Sequence, residues 1–184
     1  MKITNTKIYG LEESIVASGY PLSIGEPEYS LDRAMKLANV KIGSGHDCFL
    51  KGIIVQADIC APSYWWPQFQ RYHFADIISS QSKMHNILKF NLEKQCNEYV
   101  DEKIVEILKE KIAAYNLNKT NENFAVVLSN VPMGLNLTAR ITTNYLQLKT
   151  IYPQRKSHKL PEWKYVCDWI NSLEMSYLIV GKTK

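Results

Sequence analysis

The stretch from Gly45 to Lys83 decides the fold. It opens Gly45-His46-Asp47 and enters Gly52-Ile53-Ile54-Val55-Gln56-Ala57-Asp58-Ile59-Cys60-Ala61. It breaks at Pro62, continues Ser63-Tyr64-Trp65-Trp66-Pro67-Gln68-Phe69-Gln70-Arg71-Tyr72-His73, and closes Ser79-Ser80-Gln81-Ser82-Lys83. The run 52–61 is short, apolar and β-branched, which predicts a buried strand. Pro62 suits the first position of a following helix, where its missing N–H costs nothing. Pro67 lies five residues on, so that helix either kinks or starts late. Trp65, Trp66 and Phe69 near Arg71 read first as core packing and second as a stacking platform. Residues 73–84 lack a clean period and read as a loop. Polar groups converging beside an apolar platform are what a ligand pocket looks like in sequence.

Working outward, residues 2–9 alternate loosely and suit an edge strand. Residues 13–23 show no period. Ser30 is placed to cap a helix over 31–39, which Gly43 and Gly45 end. Downstream, 84–92 suits a short helix. The clearest helical pattern is 97–117, with Val100, Ile104, Ile107, Leu108 and Ala114 on one face. A shorter helix follows over 123–129. Leu135, Leu137, Ala139 and Ile141 alternate with polar residues, the mark of a half-buried strand. Residues 144–155 form another helix, distorted late by Pro153. Pro161 opens a last clear helix with Trp163, Val166, Cys167, Ile170 and Leu173 inward. The apolar run 177–180 fits a strand or an interface. The whole predicts a single α+β domain over 1–184, a small mixed sheet flanked by helices.

Composition narrows the function classes. At 46% hydrophobic and 22% charged residues, the 184-residue chain reads as a soluble globular protein. No apolar run approaches a membrane span, and the N-terminus lacks an apolar signal core, so the expectation is cytoplasmic residence with no membrane partner. The four cysteines are scattered without a C-x-x-C and are expected reduced and buried. The four histidines have no metal spacing, and no P-loop or G-x-G-x-x-G is present. The net charge of +4 suits an anionic ligand; nucleic acid is a weaker expectation.

The central stretch resembles the flavin-dependent thymidylate synthase (ThyX) family. That family's signature is R-H-R, seven residues, S, one residue, R. The same frame here reads Arg71-Tyr72-His73, seven residues, then Gln81-Ser82-Lys83. Gly45-His46-Asp47 and Ala61-Pro62 fall in register upstream. A second block resembles it through Val131-Pro132, Thr142-Thr143-Asn144, Leu148, Arg155, His158 and Trp163.

The resemblance implies a homotetramer with sites shared between subunits, FAD as cofactor, NADPH and methylene-tetrahydrofolate as co-substrates, and reductive methylation of dUMP or a related pyrimidine nucleotide. It implies that His46 and Arg155 are catalytic, Arg155 polarising the base. It places His46, Arg71, His73 and Asn144 at the flavin, and Gln68, Gln81, Ser82, Lys83 and Arg155 at the nucleotide. The departures are Tyr72-His73 for His-Arg, Ser79 for Glu, Gln81 for Ser, Leu128 for Arg, and Lys83 for Arg, which loses the bidentate fork. They thin out the phosphate-gripping groups, with Arg140 or Lys156 as possible replacement cations. They leave a second reading open, a non-catalytic descendant of the fold that binds a nucleotide, another anionic ligand or a protein partner.

Overall fold

A computed structural model describes residues 1–181. In chain order, β1 (Lys2–Tyr9) leads to α1 (Leu11–Ala17) and α2 (Leu31–Ala38). A 3-10 turn (Cys48–Gly52) feeds β2 (Ile54–Pro62), then α3 (Trp66–Phe69), β3 (Asp76–Ser80), α4 (Lys83–Asn86) and α5 (Leu92–Gln95). The long α6 (Glu102–Leu117) pairs with α7 (Asn121–Ser129). β4 (Asn136–Asn144), α8 (Tyr145–Arg155), α9 (Pro161–Ser172) and α10 (Tyr177–Val180) complete the described chain. The expected domain ran to Lys184; its last three residues lie outside the described ones.

The sheet order is β1-β2-β4-β3, and every pair is antiparallel. The sheet is therefore not mixed as expected. β2 sits at its centre because its period of two is complete: Val55, Ala57, Ile59 and Ala61 are fully buried. Their neighbours on β4, Ala139 and Ile141, continue the same face. Against it pack Trp65, Phe69 and Trp163, with Trp65 centred 5.1 Å from each of the other two rings. Each such buried side chain contributes about 1.5–3 kcal/mol over its exposed state. A second, smaller core gathers Ile87, Leu92, Val105, Leu108, Val127 and Leu135 under α6 and α7.

Local signals explain the helix starts. Ser30 caps α2, its Oγ accepting from the Arg33 N–H at 3.3 Å. Asn144 caps α8, its Oδ1 accepting from the Gln147 N–H at 2.8 Å. Pro161 opens α9.

Several expectations need correction. Residues 73–84 are not a loop: they contain edge strand β3, formed because β4 offers it a hydrogen-bonding edge. Pro62 ends β2 instead of opening a helix, and α3 starts late at Trp66. On α6 the buried residues are Val105 and Leu108, while Ile104 and Ile107 are exposed, so the inward face is rotated from the expected one. Residues 177–180 are a short helix with Leu178 and Ile179 buried within the chain. Trp65 and Trp66 are core residues, in line with their first reading as packing. Of the cysteines, all free, Cys167 is buried but Cys48 is exposed and the other two are half-buried. Among the described residues no helix is long and apolar enough to cross a membrane.

Candidate functional site

The expected site residues gather in three places. The first surrounds the start of α8. Here a hollow of about 450 Å³ lies between the loop before the 3-10 turn and the first turns of α8. Ile42, Phe74 and Leu146 give it apolar walls; Lys51, Asn144 and Gln147 supply polar groups. Gly43 and Gly45 line it with φ of 86° and 82°, values that favour glycine. A Cβ built on either meets no atom within 4 Å, so the loop leaves open space there.

What holds the loop is a buried ion pair. Lys149 Nζ, on α8, lies 2.6 Å from Asp47 Oδ2 and donates to the Val40 carbonyl at 3.0 Å. Both charged side chains are less than a tenth exposed. Removal of either partner strands a charge away from water, so loop and helix are locked together. His46, next to Asp47, is exposed and does not line the hollow. Arg71 and His73 are exposed in the turn that precedes Phe74.

The second place is the other end of α8. Arg155 stacks over Trp163, 4.3 Å from the ring centroid, and stands 5.4 Å from that of Tyr72. Its Nε donates to the Tyr72 hydroxyl at 2.7 Å, which in turn donates to Gln154 Oε1 at 3.1 Å. Gln68 belongs here too, its Oε1 accepting from Trp163 Nε1 at 3.0 Å. His158 sits edge-on to Trp163 and its Nδ1 accepts the Leu160 N–H at 3.1 Å. Burial, then the charges of Arg155 and Lys159, hold His158 below the ordinary imidazole range. The arrangement is a positive charge fixed in orientation by aromatic faces and one hydroxyl. Tyr72, a departure from the family signature, is thus the group that holds Arg155.

The third place is the end of β3 and the start of α4. Gln81 takes up the role of a strand residue: its N–H donates to the Thr138 carbonyl at 2.9 Å and its Oε1 accepts the Thr138 N–H at 3.0 Å. Ser82 caps α4 through the His85 N–H. Lys83 borders a shallow hollow of about 210 Å³ with Ser63, Gln70 and Ser80.

The structure thus does not unite all the expected residues in one chain. Asn144 and Arg155 stand at opposite ends of an eleven-residue helix, about 16 Å apart at 1.5 Å per residue. Arg140 is no spare cation: it bonds Asp58, the Asn5 carbonyl and Gln56 on the other face of the sheet. Among the described residues no group of three or more His, Cys, Asp or Glu is placed to hold a metal. Sequence reasoning missed Lys51, Phe74, Gln147 and the Asp47–Lys149 pair. Lys149 carried a signal, since it falls four residues after inward-facing Tyr145 on the same helix face.

No protein-family model matches the chain, and no curated protein matches it by sequence. Solved structures match along its whole length. A crystal structure of flavin-dependent thymidylate synthase ThyX from Helicobacter pylori, complexed with FAD and dUMP, is 15% identical with a TM-score of 0.71, covering 100% of both chains. Another structure of thymidylate synthase X from that organism, with FAD and dUMP, is 15% identical with a TM-score of 0.72, covering 98% of both chains. The chain therefore has the ThyX fold.

Proposed function

We propose that this chain is a flavin-binding protein that acts on a pyrimidine nucleotide, with reductive methylation of dUMP as its reaction. The observation that carries the reading is the hollow at the start of α8, on a chain that shares the full-length fold of FAD- and dUMP-bound proteins. At about 450 Å³ its size falls in the range of small-molecule sites. Apolar walls at Ile42, Phe74 and Leu146 suit a planar ring, and Asn144 and Gln147 suit its polar edge. Lys51 and Arg71 would meet the cofactor's phosphates, with His73 beside them. Bound flavin supplies the reducing equivalents, drawn from NADPH, and methylene-tetrahydrofolate the carbon.

Arg155 has the task of placing positive charge where negative charge develops on the pyrimidine, and its fixed stack on Trp163 gives it preorganisation. Gln68, held through its carbonyl, keeps its amide N–H groups for a base edge. Because the flavin hollow and Arg155 lie at opposite ends of α8, a complete site takes groups from neighbouring copies. We therefore infer a cytoplasmic homotetramer built of one domain per chain, with exposed His46 reaching a neighbour's site and Lys83 meeting nucleotide phosphate.

The test is reconstitution with FAD, desalting, and an absorbance spectrum. A retained flavin band, followed by thymidylate formation from dUMP, NADPH and methylene-tetrahydrofolate, is the expected result. A colourless protein overturns the reading. A second reading, a binding protein of this fold without turnover, is favoured by one observation: Gln81 Oε1 and Ser82 Oγ already accept backbone N–H groups, which reduces what they can offer a nucleotide to their own donors. Retained flavin or bound nucleotide without thymidylate is its expected signature.

A further inference from the structure

The sheet buries one face and leaves the other bare. On the bare face β2 presents Gln56 and Asp58, β4 presents Thr142 and Arg140, and the outer strands add Lys7 and Asp76. Residues directly opposite one another on antiparallel neighbours share a face. None of the six belongs to either hydrophobic core, and all are at least partly open to solvent among the described residues. A solvated face is the ordinary condition of an antiparallel sheet, so exposure alone decides nothing. The order of the charges does.

Two adjacent rows cross this face. The first runs Lys7, Gln56, Thr142, Asp76, with a cation at the β1 edge and an anion at the β3 edge. The second sets Asp58 on β2 beside Arg140 on β4, in an ion pair of 3.1 Å whose side chains are each 26% exposed. In both rows the sign reverses about the line between β2 and β4. Lys2, the remaining charge of these strands on this face, lies at its end, opposite Cys60.

We propose that the bare face is an interface with a second copy of this chain, stacked about a two-fold axis parallel to the strands. That axis lays β4 of one copy over β2 of the other, and β3 over β1. Lys7 of each copy then meets Asp76 of the other, and the two Asp58–Arg140 pairs close into a quartet of alternating sign. A two-fold axis across the strands lays β1 on β1, where Lys7 finds no carboxylate. Stacked sheets lie about 10 Å apart, a gap that long lysine and arginine side chains help to span. Four strands about 4.8 Å apart and about eight residues long give a face on the order of 500 Å². Two copies bury about 1,000 Å² in all, the lower bound for a specific contact. The face is one contact of the homotetramer inferred above; the proposal rests on that assembly and not on bound flavin or nucleotide.

Sedimentation of the full chain over a range of concentrations, without added flavin, tests the assignment. The unaltered chain is expected to associate. Lys7→Glu sets a carboxylate against Asp76 of the other copy, and Asp76→Lys sets two cations together; each is expected to weaken association about tenfold or more. The double swap, Lys7→Glu with Asp76→Lys, is expected to restore it. Within one chain the two positions lie three strand spacings apart, about 14 Å, so rescue reports on pairing between copies. Both side chains are exposed, and circular dichroism checks that the variants fold. Folded single variants that associate like the unaltered chain overturn the proposal. So does a double swap that fails to restore association, or an unaltered chain that stays monomeric. A tetramer indifferent to the swaps overturns this face alone and leaves the flavin reading standing; a colourless protein that obeys the swap pattern does the reverse.

Discussion

The two ends of α8 solve opposite problems with the same materials. At its start, a cation and a carboxylate, Lys149 and Asp47, are buried together so that the space beside them stays open. At its end, a cation is left without a carboxylate and laid on aromatic rings, with the space around it filled. The first end has a fixed frame around an open hollow. The second has a fixed charge at a half-buried surface. One chain thus carries an open hollow and a fixed positive group, separated by the length of a helix. The difference teaches that the fold uses its buried ion pair to shape a loop and aromatic faces to orient a half-buried cation.

Breaking the first end has the largest expected effect. Lys149→Ala leaves Asp47 charged and buried, and destabilises the chain by about 3–5 kcal/mol. Urea denaturation measures it, and loss of flavin retention accompanies it. The pair Asp47→Asn with Lys149→Met removes both charges and recovers most of that stability. If Lys149→Ala alone is tolerated, the loop is held by something other than the ion pair.

Removing the hydroxyl at the second end is milder. Tyr72→Phe deletes the bond to Arg155 Nε but leaves the stack on Trp163, and at a half-exposed position the cost is about 1 kcal/mol. Nucleotide affinity falls further than stability, because Arg155 loses its fixed orientation. Equal losses of stability at the two ends erase the contrast drawn between them.

The sequence disclosed the frame of this fold more fully than its site. The central strand, helix α8 and the proline-led helix α9 were legible because each carries its own signal: a short apolar β-branched run, apolar residues at helical spacing, a proline at the first turn. Strand β3 was not, since Asp76-Ile77-Ile78-Ser79-Ser80 has little alternation and becomes a strand through the edge that β4 presents. Helix α1 was equally silent, starting after Gly10 in a left-handed conformation with no side-chain cap. The rotated face of α6 has a similar cause: the small second core takes Val105 and Leu108, and Ile104 and Ile107 face away from it. For the site, Asn144 and Arg155 could be named, and the helix expected over 144–155 already set them at opposite ends. Tyr72 read as a loss from the signature motif, because its partner lies 83 residues away.

The smallest expected effect is also the most local report on the second end. His158 accepts the Leu160 N–H on Nδ1, a bond that requires this nitrogen to be unprotonated. Burial and the charges of Arg155 and Lys159 lower its proton affinity below the ordinary value of 6.5. The unfolded chain then binds the proton more tightly than the folded one, so this residue's contribution to stability is complete above about pH 6.5. It is lost as the pH falls through the folded midpoint, where protonation of Nδ1 also breaks the bond at the start of α9. Imidazole C–H resonances followed against pH measure the midpoint directly, and Arg155→Gln moves it upward by removing one neighbouring charge. A midpoint at or above 6.5 in the unaltered protein, or one unmoved by that substitution, means that Arg155 does not stand beside His158 as a desolvated charge. The open hollow would then be the sole preorganised feature of α8.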